Sequence, residues 1–343
     1  MSGRMILGLS VGGDPAAGGF DFDRYAAAAR LAEAAAFDFL LLPDQAAAQP
    51  AIRPEPLALL AALSVLTRQV GLVATASTAS SHPFNLTRSL ASLDHMSGGR
   101  AGVALVPGAS TAEARSFGLD PADTGLQERA EEFVAVMQGL QDSWDDDAFP
   151  RNKATGQFWL RERMHYLKHE GRHFKVRGPL DVARPPQGHV PIFAAADSEA
   201  ALDFAARCAE VILGGAADLE NARAQGAALT ARLADHGRAP QAVKRLTRLV
   251  ACIGRSRQEA EDQAGAMPPP GLVGTPADLA DAMESWRDAG VADGFLLQPG
   301  GGLEEFLGLA MPELQRRGLV QGERGMSTLR QRLGLPSAAS RFA

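Results

Sequence analysis

The sequence predicts an α/β protein built as a (β/α)8 TIM barrel. Three observations carry that expectation. Eight short apolar runs recur along the chain, each is followed by a segment of helical periodicity, and the 343 residues suit such a barrel with one excursion. Continuous apolar strands that alternate with helices belong to a parallel sheet covered on both faces. A doubly wound open sheet is the competing architecture.

The elements follow in order. Strands are expected at residues 5–11, 38–42, 70–74, 101–106, 190–195, 210–213, 246–253 and 294–298. Helical patterns occupy 23–36, 55–67, 83–96, 126–143, 199–208, 218–236, 256–265 and 275–289, and another, 303–317, follows the last strand. Residues 144–189 break the rhythm. They open on Trp144-Asp145-Asp146-Asp147 and close on Arg184-Pro185-Pro186-Gln187-Gly188. They hold four of the seven histidines, His165, His169, His173 and His189. This segment reads as a polar insertion between strands four and five, with a short hairpin around 173–176. Loops of this length in a compact domain are usually functional or disordered. Its histidines lack a tight ligand spacing, which favours a solvated loop over a metal site. The polar tail, 318–343, is expected to wrap the surface or a partner subunit. Residues 1–343 form one domain on this reading.

Composition bounds the function. Hydrophobic residues make up 46% of the chain and charged residues 22%, as in ordinary globular proteins. The net charge of −6, with arginines dispersed along the chain, argues against nucleic acid as a partner. Cys208 and Cys252 fall inside a helix and a strand, the setting of buried thiols rather than of a disulfide. No apolar stretch is long enough to span a bilayer, and no leader pattern opens the chain. The expectation is a cytoplasmic protein that does not meet the membrane.

Several phrases carry a family resemblance. They are Ala74-Thr75-Ala76-Ser77, Ser92-Leu93-Asp94-His95-Met96-Ser97-Gly98-Gly99-Arg100-Ala101-Gly102 and Arg129-Ala130-Glu131-Glu132-Phe133-Val134. Others are Gly178-Pro179-Leu180, Arg184-Pro185-Pro186-Gln187-Gly188, Gly271-Leu272-Val273-Gly274-Thr275-Pro276 and Pro312-Glu313-Leu314-Gln315-Arg316-Arg317-Gly318. In this order they resemble the bacterial-luciferase-like flavin-dependent monooxygenases. The branch they resemble holds nitrilotriacetate, long-chain alkane and dibenzothiophene sulfone monooxygenases. The resemblance implies a TIM barrel that uses reduced FMN as co-substrate. It also implies molecular oxygen, a separate flavin reductase and oxygenation of a small organic substrate through a flavin C4a-(hydro)peroxide. A homo-oligomer, at least a dimer, is expected with it.

Candidate site residues come from strand ends and helix starts. Asp44 ends the second strand at the catalytic mouth, where the family places an Asp beside the flavin ring; a turn residue after Pro43 would look the same. Thr75 ends the third strand, and its hydroxyl could bond the flavin edge or simply cap the loop with Ser77 and Thr78. Ser198 opens the helix after strand five, where free backbone N–H groups favour an anion, and the family uses a serine there for the FMN phosphate. A plain N-cap is the alternative. Gln127 stands where the family has a Tyr. His82, in the loop after strand three, is a catalytic candidate by position, whereas His95 reads as a packed helix residue.

The departures cluster at the expected flavin site and suggest a degenerate one. Asp123 and Gln127 replace the family His and Tyr, and Ala104, Pro107 and Gly108 replace an Asn and a Thr-Ser pair. The strand-five loop reads Ala194-Ala195-Ala196-Asp197, and Ala201 replaces a glycine. Asp197 would set a negative charge against a phosphate, at a cost of about 3 kcal/mol per charge pair at ~5 Å and an effective dielectric of ~20. The second functional reading is therefore a catalytically altered or non-catalytic relative that binds a flavin, an intermediate or a partner. A flavin-independent barrel enzyme lacks a clear acid–base set beyond Asp44, His82 and Asp123.

Overall fold

All eight expected strands form, and each lies parallel to its neighbours. The computed structural model describes residues 4–12, 21–44, 54–108, 110–120, 125–216, 218–264, 271–320, 325 and 327–342. The first half runs β1 (Ile6–Ser10), α1 (Phe22–Ala34), β2 (Phe39–Leu42), α2 (Pro56–Ser64), β3 (Gly71–Ser77), α3 (Pro83–Ser97) and β4 (Ala101–Val106). Then come α4 (Thr111–Phe117), α5 (Leu126–Gln141) and a hairpin of β5 (His169–Glu170) and β6 (Lys175–Val176). The second half runs β7 (Ile192–Ala195), α6 (Glu199–Cys208), β8 (Val211–Gly214), α7 (Leu219–Asp235), β9 (Lys244–Ile253) and α8 (Arg257–Ala264). It closes with β10 (Gly271–Gly274), α9 (Pro276–Asp288), β11 (Gly294–Pro299), α10 (Leu303–Arg316) and α11 (Leu329–Arg332). Helices α4 and α11 and strand β10 were not expected from periodicity.

Strand order around the ring is β1, β2, β3, β4, β7, β8, β9, β11 and back to β1, so the open-sheet alternative falls away. β9 is long enough to have two neighbours on one side. It pairs with β8 through Lys244 to Thr247 and with β10 from Val250 to Ile253. Helices start where the sequence supplies caps. In α9, Thr275 Oγ1 accepts from the Asp278 N–H at 3.3 Å while Asp278 Oδ2 accepts from the Thr275 N–H at 2.8 Å. No helix among the described residues is long and apolar enough to cross a membrane.

Two apolar layers result from strand alternation. The outer layer packs Leu7, Leu40, Leu72 and Val103 under the helices. The lumen holds Ile6, Phe39, Leu41, Val73, Phe193, Leu213, Leu246 and Leu296. Phe39 and Phe193 meet at a centroid distance of 5.0 Å. A Cβ on Gly8 would fall inside the Phe39 ring, so the glycine makes room for it.

The tail differs from its expectation. Leu329, Leu333 and Leu335 belong to the lumen cluster and plug the N-terminal end of the barrel rather than wrapping its surface. The Leu329 N–H donates to Gly99 O at 2.8 Å. Gly99 has φ +85, and a Cβ there would lie 2.6 Å from Thr328 Cγ2. Arg330 bonds both carboxylate oxygens of Glu210, at 2.6 and 2.9 Å, and the His189 carbonyl. The phrase Ser97-Gly98-Gly99-Arg100 therefore marks the base of the barrel. Arg100, 3% exposed, donates to four backbone carbonyls and the Thr67 hydroxyl, and so ties the end of α2 to β4.

The insertion is an ordered excursion, and its histidines each face a carboxylate. His165 pairs with Asp145 at 2.8 Å, His169 with Glu132 at 2.9 Å, His189 with Asp142 at 2.8 Å and His173 with Glu128 at 3.5 Å. Among the described residues no group of His, Cys, Asp and Glu could hold a metal ion. Glu132 also accepts the N–H groups of His173 and Phe174, which fastens the expected hairpin to α5. Burial would raise Asp142, but the His189 hydrogen bond and charge, with Arg341 and Arg184, outweigh it and hold the carboxyl below the usual range. Both cysteines are free thiols, and burial pushes Cys208 up to about 12.

Two predictions follow from the base of the barrel. Leu329 is 1% exposed and sits among lumen side chains, so Leu329→Ala is expected to cost about 3 kcal/mol in chemical denaturation. An unchanged midpoint would show that the plug carries no stability. Asp94 accepts from the side chain of Gln187 at 2.6 Å and from the N–H groups of Ala101 and Gln187. Burial outweighs these donors and pushes its carboxyl up to about 6. The folded state therefore binds this proton more tightly than the unfolded chain. Its contribution to stability is complete below the ordinary carboxylate range and is lost as pH rises through about 6. Wild type should gain on Asp94→Asn by on the order of 2 kcal/mol between about pH 7 and about pH 4. Parallel stability curves for the two proteins would contradict this.

Candidate active site

The ends of the strands build the site. Alternate residues of a barrel strand point inward, and the lumen cluster fixes which ones. One pleat beyond Leu41, Val73, Phe193, Leu213, Leu246 and Leu296 stand Pro43, Thr75, Ala195, Gly215, Arg248 and Gln298, with Ser10 beyond Gly8. Burial changes at that step. The lower six are buried, and the ring above them is half-buried or, at Gln298, exposed. The barrel thus ends in an apolar floor surrounded by a rim of small and polar side chains. It lies at the C-terminal face, where βα-loops of such barrels carry their chemistry.

One cation rises from the lumen into this rim. Arg248 pairs across β9 and β11 with Leu296, which places it on the inward face. Its Nη2 donates to Asp197 Oδ1 on the loop after β7. Gly215, after β8, faces the same guanidinium, and a Cβ there would lie 2.8 Å from Nη2. The Arg248 Nε is buried without a hydrogen-bond partner. Periodicity alone passed over Arg248. The available signal was an arginine at an inward position of the apolar run Leu246-Thr247-Arg248-Leu249-Val250.

The expected residues fall into two groups. Thr75 is on the rim, half-buried. Asp44 lies exposed two residues beyond Leu42; because Leu42 pairs with Ala74, Pro43 is level with Thr75 and Asp44 stands one residue further along. Ser198 is exposed at the start of α6, next to Asp197, and its Oγ accepts from the Ala201 N–H at 3.2 Å as an N-cap. The second group lies at the edge of α3 and α5. His82 caps α3, with Nδ1 accepting from the Phe84 N–H at 3.3 Å, and its ring meets Phe174 edge-on at 5.8 Å. The Arg129 guanidinium covers the same Phe174 ring at 4.4 Å and donates to Ser81 O. Gln127, two residues before it, reaches Glu131 at 3.5 Å. Ser77 donates to Gly108 O at 3.3 Å, and Thr78 is buried against Val106 O. Asp123 lies outside the described residues.

Two cavities open at this face. One of about 760 Å³ lies above β1 and β11 and is lined by Ser10, Gly12, Arg24, Tyr25 and Gln298 among others. Another, of about 340 Å³, runs behind the Asp197 loop past Ser198, Gln225 and Thr247. Both fall in the range of small-molecule sites. Rim hydroxyls, an apolar floor and a partly satisfied guanidinium suit a flat polar-edged ligand with an anionic tail.

The chain is similar to known proteins over most of its length. The family model described as luciferase-like monooxygenase matches residues 1–270. N-acetyl-S-(2-succino)cysteine monooxygenase of Bacillus subtilis (strain 168) is 32% identical, with 96% of this chain and 93% of that protein covered. Nitrilotriacetate monooxygenase component A of Aminobacter aminovorans is 32% identical, with coverage of 92% and 90%. Among solved structures, EDTA monooxygenase from Chelativorans sp. BNC1 superposes with a TM-score of 0.86 at 29% identity, covering 97% of this chain and 99% of that one.

Proposed function

The chain belongs to the luciferase-like monooxygenase family, a family of flavin-dependent monooxygenases, and from that membership we propose a two-component enzyme that uses reduced FMN. A separate flavin reductase supplies the FMN, and molecular oxygen is the co-substrate. The observation that carries the reading is the polar rim above an apolar floor, in a chain related over nearly its whole length to named monooxygenases.

The rim fits this cofactor on its own chemistry. Thr75 offers a hydroxyl to a heteroaromatic edge, and Ala195 and Gly215 leave space beside it. Arg248 is 39% exposed and has one carboxylate partner, so the rim has cationic capacity left for a phosphate. Reduced flavin, when bound, supplies two electrons to oxygen, so that one oxygen atom enters the substrate and the other leaves as water.

The protein's own part is to bind, orient and exclude water. Phe39 and Phe193 seal the floor beneath the site. Asp44 and Thr75 hold the ring edge, and Ser198 stands at the phosphate end. Because His82 Nδ1 accepts a backbone N–H, its neutral ring carries the proton on Nε2, at the margin of the site. Gln127 lines the same margin. A small organic substrate takes the larger cavity, beside Ser10 and Gln298.

The non-catalytic alternative rests on the cluster of departures at the expected flavin site, of which the charge of Asp197 is one. Arg248 now accompanies that charge, which weakens the case against flavin.

Anaerobic titration tests the reading. Reduced FMN is expected to bind at low micromolar concentration, and Thr75→Val, which removes only a hydroxyl, to weaken it about fivefold through one lost hydrogen bond. Absence of binding up to about 500 μM, weaker than about −5 kcal/mol, would overturn it.

A further inference from the structure

We propose that Arg248 is the phosphate anchor of the mouth, and that Asp197 holds it as a stand-in anion until the phosphate of FMN arrives. This rests on the flavin reading above.

Among the described residues, two of the three fully buried arginines are bonded throughout, while Arg332, the third, leaves Nε and Nη2 without partners at the closed base. Arg100 spends its guanidinium on four carbonyls and a hydroxyl. Arg330 spends its own on Glu210 and backbone oxygens. Arg248 makes one side-chain hydrogen bond, to a half-exposed carboxylate, and leaves its buried Nε unmatched. What sets Arg248 apart is its place: it is on the inward face at the open rim, 39% exposed and held by one half-exposed carboxylate, where a ligand can reach it.

The backbone opens where the guanidinium lies. The β8 ladder ends at Gly214 and Thr247, and the β10 ladder begins at Gly271 and Val250, so Arg248 falls between them. Gly215 contributes no side chain, and a Cβ there would lie within 2.8 Å of Nη2. The nearby Glu199 is engaged with Arg232 at 2.7 Å, which leaves Asp197 as the carboxylate on Arg248.

The exchange is favourable in sign. The side chains of Asp197 and Arg248 are 49% and 39% exposed, and ion pairs that wet contribute little. A phosphate monoester brings more charge than a carboxylate and three acceptor oxygens, which a guanidinium fork can bond in pairs. Asp197 leaves towards water, which solvates it.

Riboflavin and FMN differ only by the phosphate, so their comparison isolates the anchor. Calorimetric titration under anaerobic conditions would use reduced FMN and reduced riboflavin on the full chain and on Arg248→Gln and Asp197→Asn. Wild type is expected to prefer FMN by about 30-fold, the scale of a charge-assisted hydrogen-bond pair. Arg248→Gln should erase that preference and leave riboflavin affinity unchanged, which also reports an intact fold. Asp197→Asn should tighten FMN by about threefold or more and leave riboflavin alone. A preference that survives in Arg248→Gln, a parallel loss of both ligands, or equal binding of both by wild type would overturn the anchor while leaving the flavin reading standing. If wild type binds neither, the flavin reading falls with it.

Discussion

A closed ring of eight strands encloses a space that only side chains can fill, and the way this chain fills it sets the position of everything else. Phe39 and Phe193 span the middle, and Gly8 has no side chain because the Phe39 ring occupies its place. The strands do not supply enough bulk at the lower end. Leu329, Leu333 and Leu335 arrive from the tail to complete it. With the base stoppered and the middle packed, the inward residues become accessible only at the strand C-termini. The location of the site is thus a consequence of packing before any chemistry is considered.

A four-residue helix such as α11 has no stability of its own. It is held by the buried Leu329 and Leu333 and by the polar contacts of Arg330. Gln187 is the hub: its amide N–H₂ serves Asp94 and Ala101 O, while its carbonyl accepts from the Arg330 N–H. Through it the end of the insertion, the start of β4 and the tail become one unit. Buried polar groups are costly unless satisfied; Asp94, Gln187 and Arg330 are each met by groups distant in sequence, whereas Nε and Nη2 of Arg332 on the same helix are not. The conspicuous Ser97–Arg100 turn belongs to this unit. It is demanding because Gly98 and Gly99 need positive φ and Arg100 needs a full set of acceptors, not because it touches a ligand.

That distinction explains what was legible in the sequence. All eight barrel strands and nine of the helices could be read, because apolar runs and helical periods are local. Asp44 and Ser198 could be placed just beyond a strand and at a helix start for the same reason, whereas Thr75, expected to end the third strand, lies two residues before the end of β3 at Ser77. The plug, β10 and Arg248 could not. Leu329 looks like a residue of a polar tail until the hole it fills is known. Strand β10 has only Leu272 and Val273 between two glycines, and it pairs where β9 extends past β8. The direction of Arg248 depends on the register of β9 against β11. The insertion's histidines looked like loop residues because their carboxylates are mostly 20 to 47 positions away.

Asp197 shows how far a single residue can mislead when read alone. As an isolated carboxylate near a dianion, it argues against phosphate with a repulsion of about 3 kcal/mol per charge pair at ~5 Å and an effective dielectric of ~20. Beside Arg248 it is half of a neutral pair, and the ligand meets no net charge on approach. Once the pair opens, the same Coulomb term acts with its sign reversed, between phosphate and guanidinium. The departing carboxylate is in the wet rim, where the dielectric is high and its remaining repulsion small. A change that looks like the loss of an anion site in one strand is therefore answered by a cation in another. Whether a departure from the family pattern is damage or rewiring depends on its partner across the barrel.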